Sequence, residues 1–246
     1  MKAIVLAGGY AKRLWPLTKN MPKPLLDIAG KPMIDYIMEQ LVEIKEIEKI
    51  YISTNDRFKE NFQRWLKERN YRDTEIVIEP THSEEEKFGA IKGLAFVIEQ
   101  KKINDDVLIV AGDNLFEFKL KDFVDFFKKK QAPVIAIYDL KDYELAKQMA
   151  VVSVDKDVIT EFVEKPEKPK STLIAICCYL LPKNTINLIS KYLEEGNNPD
   201  SPGYFISWLV KRTACFAFKI EGKWFDIGTF ESLEKARKYF ANKSKK

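Results

Sequence analysis

Short apolar strands alternate with amphipathic helices through the first half of the chain, and that alternation leaves few folds open. Continuous apolar runs at 3–6, 49–54, 76–78, Val107–Ala111 and 133–138 read as strands buried on both faces. Four stripes at helical spacing lie between them. They are Ile34, Ile37, Met38 and Leu41; Phe58, Phe62, Trp65 and Leu66; Ile91, Leu94, Ala95 and Ile98; and Leu120, Phe123, Val124 and Phe127. Pro32 is placed near the start of the first helix, where proline is tolerated. The pattern predicts an α/β fold: a Rossmann-like, mostly parallel central sheet flanked by helices.

The second half is richer in strands. Residues 151–154 and 159–163 flank a polar Asp155, Lys156, Asp157 turn and predict a hairpin. Residues 172–181 and 215–220 predict further strands. Helices are expected around Ile186, Ile189 and Leu193, over 205–210, and after Thr229, a natural cap. No linker rich in Gly, Pro or Ser marks a boundary. We therefore expect one domain over 1–246, with a first half at 1–140 and a second at 141–246. No hexapeptide repeat is present, so no C-terminal β-helix is expected.

Composition excludes several classes. With 46% hydrophobic and 32% charged residues the chain is globular rather than disordered. No apolar run approaches the roughly 20 residues of a membrane span. No leader precedes the first strand, so a cytoplasmic protein with no membrane partner is expected. A net charge of +4 is too mild for a nucleic-acid binder. The clusters Lys128, Lys129, Lys130 and Lys243, Lys245, Lys246 are read as solvated helix ends. Cys177, Cys178 and Cys215 form no CxxC pair, and neighbours on a strand face opposite sides, so reduced, buried thiols are expected. The single histidine, His82, lies in a polar loop. Serine–histidine triads and His-rich zinc sites have little to be built from.

The chemistry is expected beyond the carboxyl ends of the strands, where open parallel sheets bind ligands. Leu6 and Ala7 close the first strand, and Gly8 and Gly9 follow directly. Lys12 and Arg13 come next, then a stiff Pro22, Lys23, Pro24 segment. A glycine turn lets backbone N–H groups approach an anion, and fixed cations add to its stabilisation. Gly112, Asp113 and Asn114 follow the Val107–Ala111 strand. A carboxylate there suits magnesium, which prefers hard oxygens and keeps water and phosphate as further ligands; a simple turn residue fits as well. Asp226 precedes Ile227, Gly228 and Thr229. Lys165, held by Pro166 and preceded by Glu164, is either a phosphate grip or a surface turn.

Taken in order, these residues resemble the sugar-1-phosphate nucleotidylyltransferases, of the glucose-1-phosphate thymidylyl- and uridylyltransferase kind. Leu6, Ala7, Gly8, Gly9, Arg13, Leu14, Pro16, Leu17, Thr18, Pro22, Lys23, Pro24 and Leu25 match the opening signature. Gly30, Lys31, Pro32 and Met33 continue it. Gly112, Asp113, Asn114, then Glu164, Lys165, Pro166, then Asp226, Ile227, Gly228, Thr229 follow in the family's order. The resemblance implies Mg2+-dependent transfer of a nucleotidyl group from a nucleoside triphosphate to a sugar 1-phosphate, with release of pyrophosphate. The attacking phosphate oxygen is already anionic, so no general base is implied. On the same ground Arg13 serves the triphosphate and pyrophosphate, and Lys23 the reacting phosphates. Lys165 is assigned the sugar phosphate, Glu164 the sugar hydroxyls, and Asp113 and Asp226 the metal. The first half, 1–140, becomes the nucleotide-binding half and 141–246 the sugar-phosphate half. Many relatives self-associate, which leaves a homo-oligomer open.

The chain departs from the family pattern in places. Ala11 and Lys12 stand where glycine and threonine are usual. Alanine is expected to lose the positive φ that glycine reaches, and Lys12 to offer the triphosphate another cation. Ala150 and Cys177 stand where glycines are common and are expected to narrow the sugar pocket. Gly89 resembles the glycine that lies against the base. Glu79 falls near a glutamine of some thymidylyltransferases; as a carboxylate it accepts only, which suits any base presenting an N–H, thymine, uracil, cytosine or guanine. Three alternatives are carried: a non-catalytic relative that binds nucleotide sugar, a cytidylyltransferase acting on choline or polyol phosphate, and a dinucleotide-binding oxidoreductase. Ala11 and the missing third glycine count against the last.

Overall fold

The computed structural model describes residues 1–243. In chain order it builds β1 (Lys2–Leu6), the two-residue strands β2 (Asp27–Ile28) and β3 (Lys31–Pro32), α1 (Asp35–Leu41), β4 (Lys49–Asn55), α2 (Lys59–Arg69), β5 (Thr74–Glu79) and α3 (Ala90–Gln100). Next come β6 (Val107–Ala111), β7 (Asn114–Phe116), α4 (Leu120–Lys130), β8 (Val134–Asp139), the single turn α5 (Tyr143–Ala146), β9 (Ala150–Asp155) and β10 (Val158–Glu164). The chain continues through β11 (Leu173–Leu181), α6 (Lys183–Glu194), α7 (Pro202–Val210), β12 (Phe216–Lys219), β13 (Trp224–Asp226) and α8 (Phe230–Lys243). Lys245 and Lys246 of the expected tail cluster lie outside the described residues.

One nine-stranded sheet runs through both halves in the order β5-β4-β1-β6-β11-β8-β12-β10-β9, with β9 also pairing β11. The pairs β5–β4, β4–β1, β1–β6 and β8–β12 are parallel. The pairs of β11 with β6, β8 and β9, and of β10 with β12 and β9, are antiparallel. The sheet is therefore mixed: parallel in the expected nucleotide-binding half and largely antiparallel in the strand-rich half. Both faces are covered. Ala3 and Val5 of β1 point to the side of α1, α2 and α4, whereas Ile4 points to α3, α6 and α7. Burial of Ile91, Leu94 and Val97 docks α3, at roughly 2 kcal/mol per side chain.

A third, smaller cluster positions the site. Leu233, Ala236 and Phe240 of α8 pack on Leu14, Ile28, Met33, Leu115 and Ile227. This seats the Pro22–Lys23–Pro24 segment and the residues after β13 against one another. Thr229 caps α8 as expected, its Oγ1 accepting from the Ser232 N–H at 3.1 Å. Pro32 is not at a helix start: it lies in β3, paired with Asp27, and α1 begins three residues later. Cys177 and Cys178 do face opposite sides, in separate clusters.

Candidate functional site

β1 lies between β4 and β6, so the direction of chain progression across the sheet reverses at β1 and β6. Such a switch point opens a crevice at the carboxyl ends of the two strands. Gly8 and Gly9 leave β1 there, and Gly112 and Asp113 leave β6. Two carbonyls at the turn are already bound: Thr54 Oγ1 donates to Ala7 O at 3.3 Å and Asn55 Nδ2 to Gly8 O at 2.9 Å. Among the described residues the Gly8 and Gly9 N–H groups have no partner. Carbonyls tied back and N–H groups left open make a turn suited to an anion.

Gly112 fastens the neighbouring segments. Its N–H donates to Leu6 O at 2.8 Å, and a Cβ there would meet Leu6 O at 3.3 Å and the Pro24 ring at 3.4 Å. Lys23 is thereby held at the crevice, its Nζ 2.5 Å from Asp113 Oδ2 and donating to Ile227 O at 2.8 Å. β7 and β13 pair antiparallel, with Asp226 opposite Asn114, and this brings Asp226 beside Asp113. Asp226 is open to solvent, yet protein crowds the space around it. That desolvation raises its carboxyl pKa, aided by Asp113 and opposed by Lys23 and Arg13. The guanidinium of Arg13 approaches the same place, 3.9 Å from where a Cβ on Gly228 would sit. The structure thus brings Arg13, Lys23, Asp113 and Asp226 together, a meeting that only the family resemblance implied.

Asn114 braces the arrangement. Its Nδ2 donates to Ile176 O at 2.5 Å and Cys177 O at 3.2 Å, and its Oδ1 accepts from Trp224 Nε1 at 3.0 Å. Cys177 lines the cleft with φ +50°, a backbone conformation glycine adopts more easily. Burial, together with the carboxylates of Asp113 and Glu164, pushes its thiol up to about 12, so it is protonated and inert at neutral pH.

The cleft encloses about 280 Å³ and is lined by Leu6, Gly8, Gly9, Glu79, Lys87, Gly89, Asp113 and Cys177, among others. Glu79 ends β5 and is 7% exposed. Its Oε1 accepts from Ser53 Oγ at 2.7 Å, and burial raises its pKa. A carboxyl with a raised folded-state pKa costs stability once pH exceeds its unfolded value, and costs nothing below it. Glu79→Gln is therefore expected to raise the Tm at pH 7 and leave it nearly unchanged at pH 4, as differential scanning fluorimetry at the two pH values would read.

Glu164 is held too. Ser201 Oγ donates to its Oε1 at 3.2 Å, and its Oε2 would lie 1.7 Å from a Cβ on Gly203, so a side chain there would push the carboxylate out of this position. Burial raises this carboxyl as well, against Ser201 and Lys165. Lys165 is exposed at φ +48° and has no ion-pair partner among the described residues.

One expectation needs correction. Ala11 does reach positive φ, at φ 47° and ψ 44°. The Leu14 N–H and Thr18 Oγ1 both donate to its carbonyl, at 3.0 and 2.8 Å, and these bonds hold a conformation alanine disfavours. Lys12 pairs with Glu84 at 2.6 Å and Glu85 at 3.7 Å in the acidic loop before α3. Sequence reasoning also missed Lys87, Asp200 and Pro202, which line the cleft from that loop and the start of α7. Their only signal was the acidic loop itself. His82 is exposed and pairs with Asp56 at 3.2 Å, outside the cleft lining.

The nucleotidyl transferase family model matches residues 2–243, and the chain belongs to that family. It is 32% identical over 247 residues to the bifunctional protein GlmU of Methanocaldococcus jannaschii, covering 99% of this chain and 55% of the relative. The chain thus spans little more than half of that protein. It is 28% identical to UTP–glucose-1-phosphate uridylyltransferase AglF of Haloferax volcanii, covering 96% of this chain and 95% of AglF. A crystal structure of apo UDP-glucose pyrophosphorylase superposes with a TM-score of 0.82 at 22% identity over 99% of both chains, a likeness of fold. No helix among the described residues is long and apolar enough to cross a membrane.

Proposed function

We propose that this chain is an enzyme that transfers a nucleotidyl group from a nucleoside triphosphate to a sugar 1-phosphate, giving a nucleotide sugar and pyrophosphate. The observation that carries this reading is the meeting of Asp113, Asp226, Lys23 and Arg13 at the open glycine turn. The Gly8 and Gly9 N–H groups and Arg13 bind the β- and γ-phosphates. Lys23 holds charge at the α-phosphate, and Lys165, without an ion-pair partner among the described residues, receives the acceptor's phosphate. An acceptor phosphate oxygen attacks the α-phosphorus, the bond to the bridging oxygen breaks, and pyrophosphate departs. The attacking oxygen carries no proton at neutral pH, so catalysis rests on position and charge.

The donor set suits magnesium. Two hard carboxylates face one place that already attracts a cation, the Lys23 ammonium, and hard oxygens are what magnesium prefers. Asp113 and Asp226 would hold the ion, and it would supply further neutralisation of phosphate charge.

The test is pyrophosphate release with magnesium, for each common triphosphate against a panel of sugar 1-phosphates plus choline and polyol phosphates. Turnover with a sugar 1-phosphate is the expected result. Turnover only with choline or polyol phosphate, or binding without turnover, replaces this reading with one of its rivals. A second measurement addresses Lys12. Glu84→Gln with Glu85→Gln frees its ammonium, and the triphosphate KM is expected to fall by about 2- to 5-fold, with the gain shrinking in high salt.

A further inference from the structure

The carboxylate of Glu79 is unusual for a group so deeply placed. It sits between two glycines: Cβ atoms built on Gly8 and Gly93 would lie 3.0 and 2.7 Å from its Oε1. Among the described residues no Lys or Arg pairs with it, and Ser53 is its one hydrogen-bond donor. Among the described residues Oε2 has no partner, although Glu79 lines the cleft. A buried carboxylate without a counter-ion is costly unless something supplies donors to it. The carboxylate occupies space that a Cβ at either glycine would crowd.

On the reading that the cleft takes a nucleoside triphosphate, the phosphates lie at Gly8, Gly9, Lys23 and Asp113, and Glu79 belongs to the same cleft lining. We infer that Glu79 is a specificity-determining residue that selects guanine, its two oxygens accepting from the N1–H and the N2 amino group. Guanine is the one common base with two adjacent donors on its pairing edge. Uracil and thymine offer one N–H between two carbonyls. Adenine and cytosine set an amino group beside a bare ring nitrogen. Each of these four places a lone pair against a carboxylate oxygen, which repels it. Ser53 leaves the geometry intact, because a carboxylate has about four acceptor positions and the hydroxyl uses one.

Calorimetric titration of the wild-type protein with GMP, IMP, UMP, dTMP, CMP and AMP separates this inference from the reaction itself, since no turnover is needed. GMP is expected to bind at least about tenfold tighter than UMP or dTMP, and about tenfold tighter than IMP, which lacks the 2-amino group. Glu79→Gln, nearly the same shape, should erase the GMP lead and improve UMP; its Tm, expected to rise at pH 7, reports that it folds. UMP or dTMP binding wild type as tightly as GMP would overturn the assignment, as would an unchanged ranking in Glu79→Gln. Tight GMP binding with no pyrophosphate release from any sugar 1-phosphate would sink the transferase reading and leave the base assignment standing. If no mononucleotide binds, the nucleotide site itself is refuted.

Discussion

Asp113→Asn and Asp226→Asn are each expected to lower pyrophosphate release by about 10³-fold while leaving the protein folded. A bound cation contributes several kcal/mol to stabilising phosphate charge, and each 1.36 kcal/mol is a factor of ten in rate. Asparagine keeps the shape and removes the charge. The stability side has a definite sign. Crowding and the neighbouring Asp113 charge raise the Asp226 carboxyl, so its ionised form is strained in the folded state. Asp226→Asn should therefore match or slightly exceed the wild-type Tm. Asp113→Asn deprives Lys23 of its 2.5 Å partner and should lose a little. Initial rates by a coupled pyrophosphate assay, with Tm measured alongside, check both. Either variant turning over within about threefold of wild type would remove its carboxylate from the chemistry.

How much of this was legible in the chain depends on the range of the interaction. β1 and the glycine turn were readable because a strand buried on both faces needs a continuous apolar run, and 3–6 supplies one. The parallel half followed from local periodicity. The meeting of Asp113 with Asp226 was readable only through family resemblance. It depends on β7 and β13, strands of three residues each that pair across more than a hundred positions. Such short strands carry almost no periodic signal of their own. Ala11 shows a different limit. The residue type argued against positive φ, but two hydrogen bonds to its carbonyl decide the backbone there, and one comes from Thr18, seven residues away. Cys177 makes the same point: the residue type argues against positive φ, and the backbone stands at φ +50° all the same. The ion pairs of Lys12 were not readable, because Glu84 and Glu85 lie about seventy residues on in a loop that pattern alone leaves unplaced.

Gly89→Ala is expected to destabilise the fold by about 2–4 kcal/mol and to disable the cleft with it. Gly89 adopts φ 78° and ψ 158°, a region almost closed to residues bearing a Cβ. The space is closed as well: a Cβ would lie 2.6 Å from Pro199 O and 2.8 Å from Asp200 Cα. Those contacts are backbone, so no side chain can swing aside. The close approach is used, because the Ala90 and Ile91 N–H groups donate to Asp200 O and Pro199 O at 3.0 and 2.9 Å. Forcing the segments apart breaks the join between the start of α3 and the chain leading into α7, and with it the wall formed by Lys87, Gly89 and Asp200. In a domain of this size the loss corresponds to a Tm drop of roughly 5–15 °C. A two-part measurement tests the account: thermal unfolding for the backbone cost, and the triphosphate KM at a temperature where the variant is still folded. A Tm within about 2 °C of wild type would show that the loop relieves the clash by moving, and KM alone would then carry the effect.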